Sequence, residues 1–218
     1  MEVARIKHFK HIICFILLLI MQQIPLLLVG SLAALPKAQR TTHLILTVGW
    51  LFLILTIGIT ILMWYLYQKV KGPQYHNHFS KAHWRPILIG FVAMLVINNL
   101  TVPFMQKTGN ANVDGLVQIF AVLGIFMLPY TLILGPMMEE LLFRGFLMNW
   151  FFVKSPILNI MTSALLFGLV HVSTDPIYFI SKALLGLVLA IVYYRTKTIK
   201  SSIILHVLNN LSAGLTIF

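Results

Sequence analysis

The chain has 218 residues, 59% of them hydrophobic and 10% charged, with a mean hydropathy of +0.92. A soluble domain carries about 25% charged residues, so an ordinary soluble fold is excluded: too few charged side chains exist to cover a water-facing exterior. The net charge is +11, but the basic residues fall between apolar runs rather than along one polar face, which argues against a nucleic-acid partner and for a lipid bilayer as solvent.

With about 20 residues needed per crossing, seven spans are predicted. The first covers 12–35, between Lys10 and Lys37. Arg5, Lys7 and Lys10 ahead of it and Ser31, Ala33 and Ala34 near its end resemble a signal peptide, but the apolar run is longer than the usual signal-peptide core, so it is read as a span. Cys14, the single cysteine, lies inside it, which leaves no intrachain disulfide and no cysteine-based metal cluster. The second span, 43–67, ends in an interfacial belt of Trp64, Tyr65 and Tyr67 before Lys69 and Lys71. A basic connection, 69–85, follows with His76, His78 and His83; a solvated interfacial loop explains these histidines as well as a metal does. The third span is 86–105. Residues 116–152 are too long for one crossing and short for two, with Pro129 and Gly135-Pro136 placed to kink or interrupt a helix. They are read as one kinked crossing, an eighth span being the alternative. The last three spans are 156–174, 176–194 and 201–218. The expected fold is an all-α polytopic membrane protein, divided into residues 1–115 with about three spans and residues 116–218.

Arg5, Lys7, Lys10, Lys69, Lys71, Lys81, Arg85, Lys154, Arg195, Lys197 and Lys200 fall on one side of these spans, and only Lys37, Arg40 and Lys107 on the other. Because Lys and Arg concentrate on the cytoplasmic side, a cytoplasmic N-terminus and an external C-terminus are expected for a multi-pass protein of the cell membrane.

Charged side chains at membrane depth cost several kcal/mol each, so a functional site is their default explanation. Glu139 and Glu140, two of five acidic residues, are adjacent in an apolar run. On a helix Glu140 and Arg144 are i and i+4, the favourable order for an ion pair, while Glu139 is rotated by about 100°. Glu140 is then a structural partner of Arg144, and Glu139 is left to face a water-filled cavity as a base. Ala164, Gly168 and His171 share one helix face, where the small residues permit close helix approach beside the imidazole. His206 and Asn210 are i and i+4 on the last span. Glu139 and His171 lie at matched depths, 15 residues before Lys154 and 16 after Ser155, but His206 is only 5 residues from Ser201. Either the last helix starts earlier and tilts, or residues 148–153 lie in the interface and make Glu139 shallower.

The chemistry such a group supports is water activation. A carboxylate in a low-dielectric cavity can accept a proton from water as a general base, histidines can position that water, and an Asn amide can donate to a developing oxyanion. Glu139, His171 and His206 also make up a one-carboxylate, two-histidine donor set for Zn2+ with an open position for water; a metal-free reaction uses the same residues equally well. A proton-coupled transporter is the alternative class, with Lys182, Asn98 and Asn99 along a pathway, but no inverted repeat with paired broken helices is visible. Lys182 is expected to snorkel to the external face or approach Asp175.

Three motifs, E-E-x-x-x-R at Glu139 to Arg144, F-x-x-x-H at Phe167 to His171 and H-x-x-x-N at His206 to Asn210, resemble the CPBP family, which comprises the type II CAAX prenyl protease and its bacterial relatives and is also called the Abi family. The resemblance covers about residues 120–218. It implies an intramembrane peptidase core of four helices in which Glu139 activates water, Glu140, Arg144 and Phe167 support it, and His171, His206 and Asn210 complete the site. The implied partner is a peptide or membrane-protein substrate. Both a metallopeptidase and a glutamate-dependent, metal-free mechanism are compatible with it. Small members in Gram-positive bacteria look like bacteriocin self-immunity proteins; a non-catalytic immunity binder is disfavoured here, because a scaffold gains nothing from buried charge. No H-E-x-x-H or G-x-S-x-G occurs, and Asp114 before Gly115 is not in a G-x-G-D context.

Overall fold

A computed structural model describes residues 2–106, 111–171 and 173–215; Lys107 and the last three residues of the seventh predicted span lie outside them. Among the described residues the regular structure is all helical, with no strand. The helices are α1 Glu2–Ala34, α2 Thr42–Val70, α3 Trp84–Thr101, α4 Ala111–Leu123, α5 at residues 127–150, α6 Pro156–Val170, α7 Pro176–Thr196 and α8 Ile199–Leu215. Among the described residues five stretches are long and apolar enough to cross a membrane: His8–Ala34, Thr42–Val70, Lys81–Phe104, Val117–Trp150 and Pro176–Thr196, with Pro156–Val170 a shorter apolar helix.

The ends of these helices are specified by short-range chemistry. Arg40 folds back to donate from Nε to the Leu35 carbonyl at 2.8 Å and from Nη2 to the Ala33 carbonyl at 2.8 Å, satisfying acceptors that the end of α1 leaves over. Thr41 caps α2 by accepting from the Leu44 N–H at 3.2 Å. Asp175 caps α7 with one oxygen, accepting from the Ile177 N–H at 2.9 Å, and holds the end of the α3 segment with the other, accepting from the Gln106 N–H at 2.8 Å. Pro156 and Pro176 stand in the first turns of α6 and α7, where the missing N–H is harmless.

The long apolar stretch of the fourth span breaks elsewhere than the prolines suggest. Gly124 takes a φ of +51°, a conformation glycine adopts without steric cost, and the chain turns there through a short 3-10 segment from α4 into α5. The prolines are absorbed instead. Pro129 precedes a π turn at Tyr130–Leu134, Gly135–Glu140 is ordinary α-helix, and Leu141–Leu147 widens into π again. One bent helical run, rather than two crossings, therefore occupies this region.

Residues 140–148 of α5 are buried without interruption, which makes α5 the centre of the bundle. Phe52 and Met63 of α2, Ile87 and Met94 of α3, Leu189 and Tyr193 of α7 and Leu205 of α8 are fully buried around it. Large apolar side chains such as Leu27, Ile54, Leu100 and Ile157 point outward, as a lipid-facing surface requires. α6 and α7 pack through glycines on both sides: a Cβ on Gly168 would lie 3.0 Å from the Ala183 Cβ, and one on Gly186 would lie 3.0 Å from the Phe167 Cβ. The last helix starts at Ile199, two residues before the expected Ser201, and α5 stops at Trp150, whose ring stacks on His11 at 4.9 Å. Both adjustments reduce the mismatch in depth between Glu139 and His206.

Gly186→Ala is expected to destabilise the protein by about 1–3 kcal/mol through overpacking against Phe167, read as a lower melting temperature in detergent. A melting temperature equal to that of the wild type would show that α6 and α7 can separate at no cost.

Candidate functional site

The site is built on a buried ion pair. Arg144, in the second π turn of α5, is completely buried. Its Nη1 donates to Glu140 Oε1 at 2.9 Å and its Nη2 donates to the Gly186 carbonyl of α7 at 2.6 Å, while the guanidinium lies 4.8 Å from the centre of the Phe167 ring. The i, i+4 pair read from the sequence is thus present, and it is tied to a second helix. Glu140 does more than neutralise Arg144: the same Oε1 accepts from His206 Nδ1 of α8 at 3.0 Å.

That bond orients His206. With Nδ1–H donated to a carboxylate, a neutral imidazole presents a lone pair at Nε2, and Nε2 lies 3.8 Å from Glu139 Oε2. His171 repeats the arrangement from α6. Its Nδ1 donates to the Phe167 carbonyl at 2.7 Å, and its Nε2 lies 4.0 Å from the same Glu139 Oε2. The Phe167 ring packs on both imidazoles, with centroids 4.6 Å from His171 and 5.8 Å from His206. Glu139 Oε2 itself is buried and has no hydrogen-bond partner within the protein. Two imidazole nitrogens therefore lie within 4.0 Å of one unpartnered carboxylate oxygen, an arrangement that a species bringing protons or positive charge satisfies.

The donor set suits zinc in kind but not in spacing. Tetrahedral ligands at 2.0–2.1 Å from zinc are separated by about 3.3 Å, shorter than the 3.8 and 4.0 Å found here. Among the described residues no group of three or more His, Cys, Asp or Glu side chains has a metal-holding arrangement. This includes His76, His78 and His83, although their rings adjoin one another with centroids 6.0–6.5 Å apart.

Glu139, His171 and His206 line a cavity of about 980 Å³. Asn210 lines it too, but one of its amide N–H groups is engaged by the Thr131 carbonyl of α5 at 3.0 Å. Asn209 completes a polar row that the motif spacing does not reveal: it donates to Asn210 Oδ1 at 3.5 Å and accepts from Asn98 of α3 at 3.0 Å. Asn99 instead bonds its own helix, donating to the Leu95 carbonyl at 2.9 Å. Lys182 corrects its expected place. Asp175 spends both oxygens on backbone N–H groups, and Lys182 lines the cavity with its ammonium 5.2 Å from the Tyr178 ring centre. Gln22 of α1 and Tyr130 of α5 also line the cavity, and neither belongs to a motif.

Removing one member of a buried ion pair strands the other, at a cost of about 3–5 kcal/mol. Arg144→Leu is therefore expected to lower the melting temperature sharply and reduce yield. Adding Glu140→Leu should restore much of the stability, and failure of the double variant to recover any would contradict this reading.

No curated protein and no solved structure matches the chain. Residues 121–212 match the family model described as type II CAAX prenyl endopeptidase Rce1-like. That stretch contains Glu139, Glu140, Arg144, Phe167, His171, His206 and Asn210, so all three motifs fall inside it. By this match residues 121–212 are similar to the Rce1-like domain of the CPBP, or Abi, family.

Proposed function

We propose that this protein hydrolyses peptide bonds within or beside the bilayer, using a water molecule activated by Glu139. The observation that carries the proposal is the approach of His171 Nε2 and His206 Nε2 to the same Glu139 Oε2, at 4.0 and 3.8 Å, among residues that line one cavity. A water there donates one proton toward Glu139 and the other toward an imidazole lone pair, which aims its own lone pair into the cavity. Oxygen–nitrogen separations of 3.8 and 4.0 Å are too long for direct hydrogen bonds and short enough for one water to span.

The reaction follows from these positions. The water oxygen attacks the carbonyl carbon of the scissile bond as its proton passes to Glu139, giving a tetrahedral intermediate with an oxyanion. The second amide N–H of Asn210 is the proposed donor to that oxyanion. Collapse of the intermediate breaks the C–N bond, and the proton held by Glu139 goes to the departing amine. Glu140 and Arg144 touch neither water nor substrate in this scheme; they position His206. No step is routed through a metal.

The substrate is a peptide or a membrane protein, in keeping with a site at membrane depth. Processing of a bacteriocin, or immunity to one, would use the same hydrolysis and predicts that Glu139→Gln no longer protects cells. The orientation proposed is a cytoplasmic N-terminus. It is supported by the meeting of two basic segments at one end: the His76 N–H donates to the Lys197 carbonyl at 2.9 Å, and Tyr75 stacks on Tyr193 at 4.6 Å.

Wild type and Glu139→Gln, purified in detergent, are to be compared on a quenched fluorescent peptide library. The expected result is loss of cleavage by about 10²–10⁴-fold, the usual contribution of a general base, with an unchanged melting temperature. A zinc chelator is expected to leave the wild-type rate unaltered. Retained cleavage by Glu139→Gln would contradict the role of Glu139, and chelator loss reversed by added zinc would contradict the metal-free scheme. For orientation, a cysteine introduced at Gln74 in a Cys14→Ala background should react with an impermeant maleimide only after cells are opened; labelling of intact cells would invert the topology.

A further inference from the structure

The cavity is lined in part by α1, which lies outside the matched segment 121–212. α1 is apolar over His8–Ala34, yet it carries the adjacent pair Gln22-Gln23, and both line the cavity. Gln22 is only 4% exposed, and its Oε1 has no hydrogen-bond partner. A buried carboxamide oxygen left without a partner is costly, because it has given up its bonds to water. Three residues on, Pro25 lacks the N–H that would bond the Met21 carbonyl, so the backbone of α1 is short of one hydrogen bond at the same level.

A carboxamide presents one acceptor and one donor edge with the spacing of a peptide group, so its natural complement is another peptide group, bonded through N–H to Oε1 and through C=O to Nε2. Among the residues that line the same cavity, Leu19, Leu26, Met94 and Phe120 offer no such bonds. A substrate chain opened for hydrolysis at this depth exposes backbone groups that hydrocarbon cannot satisfy. We infer that Gln22 binds the backbone of an extended peptide in the cavity, so that the N-terminal helix supplies part of the substrate site. This rests on the reading that a peptide enters the cavity, but it does not depend on the peptide being cleaved.

The test uses the full-length Glu139→Gln protein, which holds a peptide without consuming it, and fluorescein-labelled apolar peptides read by fluorescence anisotropy. The parent peptide is compared with a series in which each backbone N–H is replaced in turn by an ester oxygen. One ester position is expected to weaken binding by about tenfold, and Gln22→Leu should weaken the parent by about the same factor while making that ester position neutral. Gln22→Glu, which keeps the shape and loses the N–H donor, should also weaken the parent, and equal melting temperatures of all three proteins separate this from misfolding. The inference is overturned if the ester scan is the same with Gln22 and with Leu at that position, or if the parent peptide does not bind. Gln22-dependent binding combined with no cleavage by the wild type would contradict the hydrolytic reading alone; cleavage that Gln22→Leu leaves unchanged in KM would contradict this inference alone.

Discussion

The ion pair between Arg144 and Glu140 is the interaction on which the rest of the site depends. Both side chains are fully buried, where an unpaired charge is prohibitive, so each fixes the other. The pair does not stay within α5. Arg144 reaches α7 through the Gly186 carbonyl, and Glu140 reaches α8 through His206 Nδ1. A single guanidinium–carboxylate contact thereby joins three helices at one level. Gly186 leaves room for this approach, since a Cβ there would lie 3.0 Å from the Phe167 side chain.

From this anchor the division of labour between the two glutamates follows. Glu140 commits Oε1 to both Arg144 and His206, whereas Glu139 lines the cavity with its Oε2 3.8 Å from His206 Nε2 and 4.0 Å from His171 Nε2. Phe167 is the common wall: it stacks under the guanidinium, touches both imidazoles, and offers its carbonyl to His171. A hydrophobic ring in that position keeps the polar atoms pointing at one another rather than at bulk water, which strengthens every electrostatic interaction inside.

Much of this was legible in the sequence, and for a physical reason. In a chain whose solvent is lipid, polar residues stand out, so Glu139, Glu140, Arg144, His171 and His206 could be picked from an apolar background, and the i, i+4 spacing gave the Arg144–Glu140 pair. The helical architecture followed from run lengths. What failed were inferences that assume regular helix geometry or a residue's usual habit. Proline marks where an N–H is missing, not where the chain turns, and α5 absorbs Pro129 in a π turn while the break falls at Gly124. Lys182 was expected to snorkel to the external face or approach Asp175, but each Asp175 oxygen holds a backbone N–H and Lys182 lines the cavity beside the Tyr178 ring. Asn209 and Gln22 could not be singled out, because only the three-dimensional packing brings α1, α3 and α8 around one cavity.

The central claim is that Glu139 acts on water and does not itself attack the peptide. A single turnover in water enriched in oxygen-18, followed by mass spectrometry of product and enzyme, tests it most directly. The account predicts that the label appears in the new carboxylate of the product and that the Glu139 side chain stays unlabelled. Oxygen-18 in the Glu139 carboxylate would mean a covalent acyl intermediate on that residue and would contradict the account.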